Sequence, residues 1–212
     1  MGPAREQEPH TEITAADKAC PDTAYGKSKL ESEQRLEAIK GFPFIVLRPT
    51  GVYGPREKDY FMMAQSISRH VDFAVGYRPQ HLTFIYVMDV VQAVFLALDH
   101  GTVGSRYFIS DGRVYSSRTF SDLISNELGN PWLLRIKAPL WLLRIISFAG
   151  EWTARITGKI SALNNDKYNI MKQRNWMCDI KPAENELGYK PQYDLKRGVA
   201  ATIKWYKDNG WL

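Results

Sequence analysis

The chain has 212 residues, 28 Lys and Arg against 23 Asp and Glu, a formal charge of +5, and 44% hydrophobic residues. This excludes a disordered chain, which would lack apolar residues, and a collagen-like one, which would need far more than 15 Gly in a strict period. The cations are scattered among acids with no basic run, so the charge describes a mixed solvated surface rather than a nucleic-acid tract.

Residues 1–22 hold Gly2, Pro3, Pro9 and Pro21 among charges and lack either hydrophobic period, which predicts an extended loop. The opening MGPAREQEPHTEI has no apolar stretch and is too acidic and Pro-rich for a signal or transit peptide. A helix follows from Asp22 or Thr23 as N-cap, through AYGKSKLESEQRLEAIK, to Gly41 as its C′ residue. Phe44–Leu47, an apolar run bracketed by Pro43 and Pro49, reads as a strand covered on both faces, the habit of parallel sheets. A Gly-rich turn at Gly51–Gly54 then leads to a helix over Tyr60–His70.

A second strand is expected at Leu82–Val87 and a helix over Asp89–His100, with Val90, Val91, Val94, Phe95 and Leu98 covering one side. Arg106–Ser110 is a third strand. Helices are then predicted over Thr119–Leu128, over a Trp-rich segment at 139–157, near Lys167–Arg174, and from Asp194 to the stop at Asn209–Gly210. Alternating strands and helices followed by mostly helices predict an α/β fold: the C-terminal part of a Rossmann-type parallel sheet over 1–112, with a mainly helical substrate-binding cap over 113–212.

Cys20 and Cys178 lie far apart with no CxxC arrangement, so neither a disulfide framework nor a zinc site is expected, and a reducing cytoplasm fits. His10, His70, His81 and His100 are mutually distant and suggest no metal site. The most apolar stretch, 131–150, is broken by Arg135, Lys137, Pro139 and Arg144, so it does not span a bilayer. Its Trp141, Leu142, Leu143, Ile145, Ile146, Phe148 and Trp152, with Arg144 and Arg155, are expected to cover a substrate pocket rather than a membrane surface.

The chemistry centres on Tyr25 and Lys29. Four residues apart on a helix, they rise from the same face. A nearby ammonium stabilises phenolate, so such a phenol can exchange a proton with a substrate hydroxyl or carbonyl nearer neutrality.

Tyr25-Gly26-Lys27-Ser28-Lys29 with Glu33 one turn on, then Leu47-Arg48-Pro49-Thr50-Gly51-Val52-Tyr53-Gly54-Pro55, resembles the extended short-chain dehydrogenase/reductase family, the NAD-dependent epimerase/dehydratases. Tyr86-Val87-Met88-Asp89-Val90-Val91-Gln92-Ala93 and the ending Glu186-Leu187-Gly188-Tyr189-Lys190-Pro191, Trp205-Tyr206, Gly210-Trp211-Leu212 extend the likeness along the whole chain. The resemblance implies that Tyr25 is the catalytic acid/base and that Lys29 supports it while bonding the nicotinamide ribose of NAD or NADP. It further implies that Pro49, Thr50, Gly51 and Val52 lie against the nicotinamide. Tyr53, Arg56, Arg78 and His81 flank this stretch or the next strand and are candidates for the small-molecule substrate side.

No G-x-G-x-x-G or G-x-x-G-x-x-G occurs in the 212 residues, so the pyrophosphate cradle of such a fold is missing. The chain is therefore expected to be the second half of the fold, inactive alone. Phe44–Leu47 would then keep an open edge. A Ser or Thr that bonds the reacting oxygen in the family is expected to precede Met1-Gly2-Pro3. Within the family, the apolar 131–156 segment leans toward the 3β-hydroxysteroid dehydrogenase or dihydroflavonol reductase branch. The alternative is a non-catalytic remnant acting as a binding or dimerisation module, the homodimer forming through helices near 23–40 and 58–70.

Overall fold

The computed structural model describes residues 11–157 and 165–212, with backbone alone for 149–157. Met1-Gly2-Pro3 and His10 lie outside the described residues, as do the side chains of Trp152 and Arg155. The elements run α1 (Ala24–Ala38), β1 (Val46–Pro49), β2 (Gly51–Tyr53), α2 (Lys58–Ser68), β3 (Val71–Val75), β4 (Phe84–Tyr86) and α3 (Val87–His100). They continue with β5 (Arg106–Ile109), α4 (Thr119–Glu127), β6 (Leu134–Ala138), α5 (Leu140–Thr157), α6 (Asn165–Lys172), α7 (Lys181–Leu187) and α8 (Leu195–Asp208).

All three strand pairs are parallel: β1 with β5, β2 with β4, and β3 with β6. Parallel neighbours need long crossovers, which the intervening helices supply. At Thr50 the chain changes partner: its N–H donates to the Ile109 carbonyl at 3.2 Å, and the Gly51 N–H donates to the Thr83 carbonyl at 3.4 Å. Among the described residues β1 has one strand neighbour, β5, so its other edge is open. The strand begins at Val46, later than the apolar run, and Val46 to Arg48 are half-buried rather than covered on both faces.

Two cores form, each drawing on residues from both sides of position 112. One gathers Tyr53, Phe84 and Tyr86 with Ala64 and Ile67 of α2, Phe120 and Ile124 of α4, and Leu195, Val199, Ile203 and Tyr206 of α8. The other packs Ile85, Tyr107 and Ile109 against Ala93 and Ala97 of α3 and Ala183 and Leu187 of α7. α8 lies close to β2: a Cβ added at Gly198 would sit 2.0 Å from the Tyr53 Oη, so only glycine fits there.

Two sequence expectations change, and two features appear that the sequence did not suggest. Gly51–Tyr53 is a strand, and the chain turns at Gly54–Arg56, where Arg56 has φ +68°. β3 and β6 are an unexpected pair; β6 is cut from the apolar 131–150 stretch, whose helix starts only at Leu140. The short helix α7 also went unseen, because Pro182 sits in its first turn and the apolar Ala183 and Leu187 are too few to show a period. On α3 the buried positions are Asp89, Ala93 and Ala97, while Val91, Val94, Phe95 and Leu98 are exposed, because no described element lies over that side.

Candidate active site

α1 owes its start to Thr23, whose hydroxyl accepts from the Gly26 N–H at 3.0 Å. That cap satisfies one orphan donor of the first turn. A second, the Ala24 N–H, donates to the Asp166 carboxylate of α6 at 2.9 Å. Asn169 of α6 donates to the Asp22 carbonyl at 3.4 Å, and the Lys172 ammonium lies 3.2 Å from the Asp22 carboxylate. Helix α6 therefore grips the start of α1 immediately before Tyr25. Nothing in the sequence signals this, since Asp166 is 142 residues from Ala24.

Tyr25 and Lys29 stand on one face of α1, as their spacing requires, with the Lys29 ammonium 5.5 Å from the centre of the Tyr25 ring. The phenol ring is 64% exposed. That leaves it reachable from solvent, with a cation beside the ring.

Glu33, one turn beyond Lys29, is buried and forms a two-point bond with Arg48 of β1, Arg48 Nε to Oε1 at 3.2 Å and Nη2 to Oε2 at 2.6 Å. Arg106 of β5 approaches the same carboxylate at 3.6 Å and also pairs with Glu37. Arg48 in turn lies over the Phe108 ring at 5.5 Å. These arginines were not singled out by sequence reasoning.

Pro49 ends β1 exposed to solvent, while Thr50 sits at the partner exchange between β1 and β2. The Thr50 hydroxyl is buried and, among the described residues, has no hydrogen-bond partner. A buried hydroxyl without a partner costs free energy unless a ligand or water meets it. Thr50 therefore fits a polar group such as the amide end of a nicotinamide. Gly51 lacks a side chain for a packing reason: a Cβ there would come within 2.8 Å of the Tyr60 Oη and 3.0 Å of Phe84. Val52 is half-buried in β2, in register with Ile85.

The four substrate-side candidates separate. Tyr53 is not at a surface at all: it is 1% exposed, wrapped by Tyr60, Phe84, Tyr86 and Phe120, and burial pushes its phenol far above its usual range. It is a core residue. Arg56 and Arg78 are exposed. His81 is half-buried and its backbone bridges to the 174–176 segment, donating to the Arg174 carbonyl at 2.7 Å and accepting from the Trp176 N–H at 2.8 Å.

Helix α5 is less covered than expected, with Trp141 65% and Phe148 70% exposed. No described helix is long and apolar enough to cross a membrane. Among the described residues no cluster of His, Cys, Asp and Glu is placed to hold a metal ion.

The chain is 23% identical over 194 residues to the UDP-glucose 4-epimerase of Vibrio cholerae, covering 89% of this chain and 55% of that one. It is 25% identical over 194 residues to a decarboxylating sterol-4-alpha-carboxylate 3-dehydrogenase of Schizosaccharomyces pombe, covering 86% and 56%. The chain thus spans about half the length of the curated relatives it matches. The fold is that of the dTDP-glucose 4,6-dehydratase DesIV from Streptomyces venezuelae, solved with NAD bound, at TM-score 0.73 and 19% identity over 99% of this chain and 58% of that one. The family model of NAD-dependent epimerases and dehydratases matches residues 1–110, the stretch that carries Tyr25, Lys29 and Thr50, and the chain belongs to that family.

Proposed function

We propose that this chain carries the proton-transfer and substrate-binding part of an NAD(P)-dependent oxidoreductase, epimerase or dehydratase. The observation that carries the reading is the exposed Tyr25 with the Lys29 ammonium 5.5 Å from its ring centre, on a helix held at its first turn by Asp166 and at Glu33 by Arg48. In it, Tyr25 takes a proton from a substrate hydroxyl or returns one to a carbonyl. Lys29 stabilises the phenolate that results. The Thr50 hydroxyl orients the nicotinamide end, and Pro49, Gly51 and Val52 fix the backbone on which Thr50 stands. The nicotinamide, when bound, supplies the hydride acceptor.

The pyrophosphate end is a different matter, since the Gly-rich loop pattern does not occur in the sequence. The chain alone is accordingly proposed to bind cofactor poorly and to turn over only when the remaining strands are supplied. Within the family we favour an apolar substrate, as in the 3β-hydroxysteroid dehydrogenase branch. The sterol dehydrogenase relative and the apolar residues of α5 support this.

A second reading, a non-catalytic binding or dimerisation module, is favoured by the exposed apolar side of α3 and the open edge of β1. Self-association through α1 and α2 belongs to either reading. Titration with NADH and NADPH, followed by reduced-nicotinamide fluorescence with Tyr25→Phe as control, separates the two. Weak binding that strengthens when the missing strands are added supports the enzyme reading, and no binding under either condition supports the module.

A further inference from the structure

α1 is an unusual place for catalytic groups, because little apolar packing holds it. Of its fifteen residues only Gly26 and Glu33 are buried, and Gly26 has no side chain. Neither of the two hydrophobic cores includes a residue of α1. What ties the helix body to the sheet is two carboxylates: Glu33, bonded twice by Arg48 of β1 and approached at 3.6 Å by Arg106 of β5, and the more exposed Glu37, which pairs with Arg106. Glu33 and Arg48 expose only 11% and 10% of their side chains, so solvent screens the pair little. Arg48 is also two residues from Thr50, which follows directly on the end of β1 at Pro49. A displacement of Glu33 relative to Arg48 is therefore a displacement of Tyr25 and Lys29 relative to Thr50.

We infer that Glu33 is a positioning residue: through Arg48 it sets the placement of the Tyr25–Lys29 helix against the Thr50 strand. The inference rests on the proposed acid/base role of Tyr25. Misplacing reacting groups by about 1 Å costs on the order of 10²-fold in rate, so a two-point ionic bond at this position governs turnover without touching ligand.

The test uses Glu33→Gln, Glu33→Asp, Arg48→Met and the Glu33→Gln/Arg48→Met double variant. Hydrogen exchange of the chain is the first measurement. Amides of α1 are expected to exchange about tenfold faster or more in Glu33→Gln and in Arg48→Met. The double variant should show little further change, Glu33→Asp a smaller one, and α8 none. Unchanged α1 exchange in Glu33→Gln overturns the inference. So does equal acceleration in α8, which would make Glu33 a residue of global stability.

Nicotinamide turnover, measured with the missing strands supplied, is the second measurement. Glu33→Gln should lower kcat on the order of 10²-fold with KM for cofactor little changed, and an unchanged kcat overturns the inference. Absence of turnover in the parent protein defeats the proposed activity instead, and hydrogen exchange alone then decides whether Glu33 holds α1.

Discussion

Asp89 and Asp111 are buried carboxylates, each under two opposing influences. Asp89 accepts the backbone N–H groups of Gln192 and Tyr193, each at 3.0 Å, and Asp111 accepts the Tyr115 hydroxyl at 2.6 Å. Those bonds favour the ionised forms, yet desolvation is the larger influence and pushes both pKa values up. The folded protein therefore holds protons on these groups at pH values where the unfolded chain has released them. Stability should fall as pH rises from about 4 through the raised folded values, a decline that Asp89→Asn and Asp111→Asn should flatten in urea titrations at several pH values.

Thiol chemistry offers a second residue-scale outcome. Burial pushes the Cys178 thiol up to about 11, while Cys20 is exposed. A disulfide exchange reagent near pH 8 should therefore modify Cys20 rapidly and Cys178 only on unfolding. Gly198 gives the third: Gly198→Ala forces a methyl group into the Tyr53 ring and should cost about 1–3 kcal/mol or more in urea unfolding. Tyr53 itself shows what a motif conceals. Its place beside Gly54 suggests a ligand contact, but whether a strand residue faces ligand or core depends on which helix lies behind it. Here that is α8, more than 140 residues further on.

At the scale of elements, the helices with caps were legible. Thr23 before α1 and Asp194 before α8 both accept the backbone bonds expected of them, from Gly26 and Arg197. Asp194→Ala should cost about 1 kcal/mol, read in the same unfolding experiment. Short strands were harder: Val71–Val75 and Leu134–Ala138 have five residues each, and β6 merges with the apolar start of α5, so no period separates them. Of Val90, Val91, Val94, Phe95 and Leu98, which the apolar pattern of α3 places on a covered side, Val90 is half-buried and the other four are exposed. A helix apolar on every side is one built to be surrounded. Phe95→Lys with Leu98→Glu should change the stability of this chain by about 0.5 kcal/mol or less while reducing its binding of a hydrophobic dye. A large destabilisation would mean that these side chains are already covered.

Across the whole molecule, the parallel α/β arrangement and the shared face of Tyr25 and Lys29 on α1 were both legible in the sequence, because both rest on local spacing. It did not announce the polar ties that position the pair. Asp166 on Ala24 and Arg48 on Glu33 join segments that only the finished fold brings together. Substituting Asp166 by Asn should loosen the first turn of α1, seen as faster exchange of its N-terminal amides, and leave α8 unaffected.

The reach of α8 has one more consequence. Gly198 lies on the Tyr53 ring, the Tyr206 hydroxyl donates to the Glu57 carbonyl at 3.0 Å, and Asp89 grips the loop before the helix. The larger core is thus closed by residues 195–206 packing onto residues 53–86. Contacts this distant along the chain are made late, because the intervening loop must be ordered first. On the ribosome, β2 and β4 emerge with an aromatic surface that α2 and α4 cover in part and that is closed only once α8 has been synthesised. The nascent chain therefore carries part of that surface exposed to solvent until α8 emerges.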